Sequence, residues 1–230
     1  MIFMSDRAIV FGAGGALGSV VCATFQRAGI DVLPVTRGTA EDEAWVSTDS
    51  SDWIERLANI TFNRVVFAQG RNSASAVQEI DTHELSEVFE ANVFSIMAWT
   101  RQLVVAGVLS QNARICIVGS VWANVSRRDK AAYVVSKSAV SGLVRSFCSD
   151  LAPQGIVTNA ILPGVIESPM AHQFLTAESR AKLETETPGG RLVAAEELAA
   201  AVLWLTGTES TGICGQSIVM DHGWSVTRNV

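Results

Sequence analysis

Residues 7–18, RAIVFGAGGALG, lead from a short apolar run into the glycines Gly12, Gly14, Gly15 and Gly18, and the helical stretch SVVCATFQRAG follows. The pattern reads strand, tight turn, helix. Glycine lets the main chain turn sharply and lie close to a pyrophosphate, which rests on the free N–H groups of a helix N-terminus. The spacing departs from strict G-x-G-x-x-G because Leu17 holds the third position, so a strand–helix turn without a ligand stays open as the other reading.

Outward from this stretch the alternation continues. β-Branched runs at 31–36, 64–68, 113–118, 155–161 and 216–220, with a shorter one near 44–47, are separated by helical stretches at 51–59, 81–108, 130–152 and 195–206. Such alternation predicts βαβ units, right-handed crossovers and an α/β fold: a Rossmann-type doubly wound parallel sheet of about seven strands flanked by helices. With 230 residues the chain is expected to form one dinucleotide-binding domain over 1–230. One long irregular connection, 163–194, is read as the substrate loop.

Composition excludes several classes. The net charge is −6 with no basic cluster, which argues against nucleic acid. No apolar run has the length of a membrane span, and MIFMSDRAIV has no secretory pattern. The cysteines Cys22, Cys116, Cys148 and Cys214 are far apart in sequence and are read as reduced, buried thiols of a cytoplasmic protein. The histidines His83, His172 and His222 are scattered, so no metal site is expected.

The second strand ends in Thr36 and Arg37, where many NAD sites carry an acid for the ribose hydroxyls. A guanidinium there can pair with a 2′-phosphate, which predicts NADP(H) as the preferred cofactor with NAD(H) possible. The acidic triplet at 41–43 opposes that attraction, and an ordinary solvated arginine is the alternative reading.

Tyr133 is the single tyrosine of the chain, and Lys137 follows one helical turn later in AAYVVSKSAV. Positions i and i+4 share a helix face. A phenol with a pKa near 10 is a poor acid–base group at neutral pH, and a neighbouring ammonium favours the phenolate. Ser120, closing the strand RICIVGS, supplies a hydroxyl that can hold a substrate carbonyl.

Ser120, Tyr133 and Lys137 have the Ser…Tyr-x-x-x-Lys spacing of the short-chain dehydrogenase/reductase family, which the chain resembles over nearly its whole length. Asn92 in FEANVFS matches that family's fourth catalytic position, and TNAILPGVIESPM resembles its segment after the sixth strand, with Asn159, Pro163, Gly164 and Ser168. The resemblance implies a catalytic set of Asn92, Ser120, Tyr133 and Lys137, in which Lys137 also binds the nicotinamide ribose and Asn92 holds a proton-relay water. It implies cofactor contacts from Gly12, Gly14, Gly15, Ala16, Leu17 and Gly18, from Arg37 and Asp49, and from Ala68 and Gly70. Pro163, Gly164, Ile166 and Ser168 complete that set beside Tyr133 and Lys137. The pocket is expected from Trp122, Val165, Met170, Phe174 and Trp224, which suits a small or medium, mostly apolar ketone or secondary alcohol. The family's enoyl reductases set tyrosine and lysine further apart, so carbonyl chemistry is favoured.

The departures from the family pattern are Phe11 for threonine, Ala16 for glycine, FAQG for Asn-Asn-Ala-Gly at 67–70, and His222 within Asp-His-Gly. Phe11 and Ala68 are expected to exchange a hydrogen-bonded brace for an apolar contact. The helices at 81–108 and 130–152 are apolar on more than one face, and the family pairs them into dimers and tetramers, so a homo-oligomer is expected. A dinucleotide-sensing regulator of the same fold, weak in catalysis, is the alternative function.

Overall fold

The computed structural model describes residues 6–38, 44–167, 176–208 and 212–227. Seven strands form one sheet: β1 (Arg7–Phe11), β2 (Asp31–Thr36), β3 (Val46–Ser47), β4 (Phe62–Phe67), β5 (Leu109–Val118), β6 (Val157–Pro163) and β9 (Ser217–Met220). Their order is β3-β2-β1-β4-β5-β6-β9, and every neighbouring pair is parallel. The short strands β7 (Ile166–Glu167) and β8 (Val193–Ala194) pair separately, also in parallel. The helices are α1 (Ala16–Arg27), α2 (Thr82–Phe89), α3 (Ser95–Val105), α4 (Ala131–Leu151), α5 (Ala177–Glu186) and α6 (Ala195–Leu205).

Alternate strand residues feed two separate apolar layers, as the period of two requires. Ile9 and Phe11 of β1 pack with Ile96 and Leu103 of α3 and Val140 and Val144 of α4. Ala8 and Val10 pack on the opposite face with Val21 and Phe25 of α1 and Leu198 and Val202 of α6. Burial of each large side chain stabilises the fold by roughly 1.5–3 kcal/mol, which is why the strands are apolar without a polar face. Helix ends follow local chemistry. Asp81 caps α2 by accepting the Glu84 N–H at 2.9 Å, and α1 stops where Gly29 turns left-handed at φ +79°.

Four expectations change. The segment 51–59 holds only one short turn, Glu55–Leu57, because Asn59 at φ +68° turns the chain toward β4. The helical rod over 82–105 is widened in the middle, where Glu90–Phe94 form a π turn between α2 and α3. The connection 163–194 is not wholly irregular, since it carries β7, α5 and β8. The cysteines are not all buried and separate: Cys116 is buried, but Cys148 and Cys214 are partly exposed, with their sulfurs 2.6 Å apart.

Candidate active site

In a parallel sheet all strands end at one edge, so the segments after β1, β4, β5 and β6 gather there. The order reverses between β1 and β4, and the crevice at such a switch point is where open α/β sheets bind ligands. The glycine loop enters this crevice. Gly12 (φ +78°) and Ala13 both donate to the Val35 carbonyl, at 3.0 and 3.2 Å. A Cβ on Gly12 would lie 2.6 Å from the Gln69 nitrogen, and one on Gly18 would collide with the Gly12 carbonyl. Gly18 therefore makes the close helix–strand approach, while Leu17 packs into the α1–α6 layer. This resolves the irregular glycine register. Ala16 is exposed at the start of α1, where a methyl is tolerated. The α1 N-terminus has no side-chain cap and no acid in its first turn, as an anion site requires. Gln69, whose main chain lies against Gly12, has a buried carboxamide, and neither its oxygen nor its nitrogen has a partner. These features fit a dinucleotide diphosphate.

Beyond β2, the Thr36 hydroxyl donates to the Arg37 carbonyl at 3.0 Å, and Arg37 is exposed. Asp49 accepts the Gly38 N–H at 2.7 Å and so shapes the turn that carries Arg37. Arg37 shares a cavity with Arg71, Ser86, Glu87, Glu90 and Phe94. Arg71 pairs with Glu87 at 2.8 Å. This second arginine was not found from sequence, because no motif marks it. The acidic triplet 41–43 lies outside the described residues.

The four polar residues expected to act together do converge. Ser120 follows β5, and its oxygen accepts the Trp122 N–H at 3.4 Å. The Ser120 hydroxyl lies near enough to the Tyr133 phenol to favour its ionised form. Lys137 is 4% exposed, donates to the Val118 carbonyl at 3.3 Å, and sets its Nζ 5.8 Å from the Tyr133 ring centroid. Asn92, fully buried in the π turn, donates to the Arg71 carbonyl and the Ser136 hydroxyl, both at 2.9 Å, and accepts the Arg71 N–H at 2.8 Å. A Cβ on Gly70 would stand 3.2 Å from both Asn92 Oδ1 and Lys137 Nζ, so the bare glycine keeps the space between them clear. A π turn commonly marks a functional position in a helix. Here it aims Asn92 across to the segment after β4.

The electrostatics differ from the sequence expectation. Burial, the larger effect, pushes the Tyr133 phenol up, while the neighbouring Ser120 hydroxyl pulls it down. Burial lowers the Lys137 ammonium to about 8. A second cation escaped sequence reasoning. Lys130 is buried at the head of α4, donates to Asn72 Oδ1 and the Ser73 carbonyl, both at 2.7 Å, and lies 5.5 Å from the Tyr133 ring centroid. Its signal was a lysine where a helix N-terminus disfavours positive charge.

Pro163 ends β6. Gly164 donates to the Met220 carbonyl at 2.9 Å, and a Cβ on it would crowd that of Asp221 at 2.9 Å. Ile166 is tied into the ladder with Val193. Trp122 and Trp224 meet edge to face at 5.5 Å, and Val165 and Trp224 line one small cleft with Leu183 and Leu192. Ser168, Met170 and Phe174 lie outside the described residues. Asp221 caps the following turn by accepting from Gly223 and Ser225 at 2.9 and 2.8 Å. The expected Phe11–Ala68 contact is corrected: the two face opposite layers, joined only through the Ala68 N–H to the Phe11 carbonyl. Phe11 instead stacks on Phe67 at 4.8 Å and on Trp99 at 4.9 Å, since residues one apart on a strand point to opposite faces.

A family model described as Enoyl-(Acyl carrier protein) reductase matches residues 42–225. The 3-oxoacyl-(acyl-carrier-protein) reductase FabG of Salmonella typhimurium is 25% identical, covering 97% of this chain and 98% of its own. The cyclopentanol dehydrogenase of Comamonas sp. is 34% identical over 65% of this chain and 60% of its own. The solved structure of aldohexose dehydrogenase from Thermoplasma acidophilum superposes with a TM-score of 0.89 at 22% identity, over 98% of this chain and 96% of that one. Among the described residues no helix is long and apolar enough to cross a membrane, and no cluster of metal-ligating side chains occurs. With the fold, the glycine loop and the Ser120–Tyr133–Lys137 cluster in place, the chain belongs to the short-chain dehydrogenase/reductase family and is an NAD(P)-dependent oxidoreductase that interconverts alcohols and carbonyls.

Proposed function

We propose that the protein is a ketoreductase or alcohol dehydrogenase acting on a small or medium, mostly apolar substrate, with NADP(H) preferred over NAD(H). The observation that carries this reading is the Tyr133 phenol, beside Ser120 and one helical turn from the buried Lys137, whose Nζ lies 5.8 Å from its ring centroid. The matched family model is described by enoyl reduction, but the four-residue interval between Tyr133 and Lys137 supports carbonyl chemistry. The glycine loop and the α1 N-terminus would hold the dinucleotide diphosphate and Arg37 its 2′-phosphate, with Pro163, Gly164, Ile166 and Ser168 completing the proposed cofactor contacts. When bound, the reduced nicotinamide supplies the hydride for the carbonyl carbon. Ser120 holds the carbonyl oxygen, and Tyr133 gives that oxygen its proton. Burial supports the donor role, because it keeps the proton on the phenol at neutral pH. Lys137 orients the cofactor ribose and replenishes the proton. Asn92, whose side chain is tied to Arg71 and Ser136, fixes the wide turn beside which a relay water would sit.

Trp122, Val165 and Trp224 supply apolar surface on the substrate side, and Arg191, which lines the cleft with Val165 and Trp224, is paired with Glu197 at 2.6 Å rather than free to clamp a carboxylate. Exposed apolar side chains on one helix, Phe94, Met97 and Val105, with Val135 on α4, support a homo-oligomer, a dimer or tetramer, of a cytoplasmic protein. The test is a panel of ketones and secondary alcohols with NADPH and NADH, followed by nicotinamide absorbance. Turnover of apolar ketones with NADPH is expected. Tight dinucleotide binding without turnover of any of them would favour the regulatory alternative.

A further inference from the structure

Cys148 lies near the C-terminal end of α4, and Cys214 lies in the turn that enters β9, 66 positions away. Their sulfurs are 2.6 Å apart, about half an ångström beyond a disulfide bond of roughly 2.05 Å. The surroundings hold the two residues in this register. Gly215 turns left-handed at φ +74°, and a Cβ on it would lie 3.2 Å from Cys148 Sγ, so the bare glycine suits both the turn and its close approach to α4. The turn is fixed on both sides of Cys214. Asn159 donates to the Ile213 carbonyl at 2.7 Å and accepts the Gln216 N–H at 3.0 Å, while Gly215 donates to the Thr158 carbonyl at 2.8 Å. Further along the same contact, the Ser217 and Ser141 hydroxyls meet at 3.1 Å. Both cysteines are partly exposed, so a small reagent can reach them, whereas Cys116 is fully buried.

We propose that Cys148 and Cys214 form a reversible disulfide site, closed by exchange with a small disulfide oxidant of the glutathione type. One thiolate attacks the oxidant, giving a mixed disulfide and one released thiol. The other cysteine then displaces the second thiol. Two S–H bonds and the oxidant S–S bond break. One protein S–S bond and two S–H bonds on the released thiols form, so the protein is oxidised by two electrons and the oxidant is reduced by two. The cross-link joins the helix that carries Tyr133 and Lys137 to the turn that enters the last strand of the sheet. It encloses β6, α5 and α6 in one ring, which restricts the unfolded chain more than the folded one. The inference is independent of which substrate or dinucleotide the protein uses.

The test is equilibration of the purified protein with excess oxidised glutathione, followed by thiol titration in denaturant, peptide mapping without reductant, and thermal unfolding. The four thiols of the chain should fall to two (4 − 2), with one linked peptide pair holding Cys148 and Cys214. The melting temperature should rise by about 5–15 °C and return on treatment with dithiothreitol. Cys148→Ser and Cys214→Ser should each abolish the link and the rise, and Cys22→Ser should keep both. Four persisting thiols, stable glutathione adducts in place of the link, or a link without a gain in melting temperature would overturn the proposal. The wild-type peptide map decides the pairing even if a variant folds poorly.

Discussion

The carboxyl edge of the sheet is built in two ways. Beyond β1 and β2 it is mostly main chain. Gly12, Gly15 and Gly18 lie so close to neighbouring backbone that a side chain is excluded or crowded, and the helix N-terminus is bare. Beyond β4 and β5 it is made of interlocked side chains, with Asn92, Ser120, Tyr133, Lys130 and Lys137 held by hydrogen bonds and burial. The first region tolerates changed residue types where the backbone path is kept, as at Phe11 and Ala16. The second depends on particular functional groups, and its electrostatics come from burial. A binding platform of amides can be reached by many sequences, whereas a proton donor cannot.

The sharpest way to break this contrast is Tyr133→Phe, which removes only the transferable proton. Turnover should fall by at least a hundredfold, within the usual range for general acid–base groups, while NADPH affinity measured by fluorescence stays within about twofold. A variant keeping more than a tenth of wild-type kcat would remove Tyr133 from the role given to it.

Lys137 tests whether burial costs stability. Its pKa falls from 10.5 to about 8, so the folded protein binds fewer protons than the unfolded chain between those values. Stability contributed by this group therefore rises with pH across that window, and at pH 7 the buried charge costs on the order of 3 kcal/mol. Lys137→Met should abolish turnover yet melt several degrees higher at pH 7, and that advantage should shrink from pH 8 toward 10.5. A variant less stable than wild type at pH 7 would show that the ammonium is well solvated or paired in the fold.

On the backbone side, Arg37→Ala should raise the KM for NADPH tenfold or more and leave that for NADH nearly unchanged, because charge-assisted bonds to a 2′-phosphate are worth about 1.5–3 kcal/mol. Equal effects on both cofactors would move the phosphate contact elsewhere, with Arg71 of the same cavity the next residue to change. The smallest expected effect belongs to Gln69. Its unpartnered carboxamide is a burden in the free protein, so Gln69→Leu should raise the melting temperature slightly without ligand. The increment added by NADPH should shrink by a few degrees. An unchanged increment would show that Gln69 does not meet the dinucleotide.

The sequence by itself determined the alternation of strands and helices, because short β-branched runs and the longer helical patterns between them are local signals, and all seven strands of the main sheet were legible from such runs. It also determined the Tyr133–Lys137 pair, since one helical turn fixes their common face. Only the tertiary structure decided what lies far apart along the chain. The π turn at Asn92 answers to Arg71 and Ser136, the stack of Phe11 on Phe67 and Trp99 joins three elements, and Lys130 reaches the loop after β4. Cys148 and Cys214 meet because α4 lies beside the turn that enters β9, which no local pattern encodes. The protonation of the site belongs to the same class. Spacing places a cation beside a phenol, but how far water is excluded from both decides which of them keeps its proton.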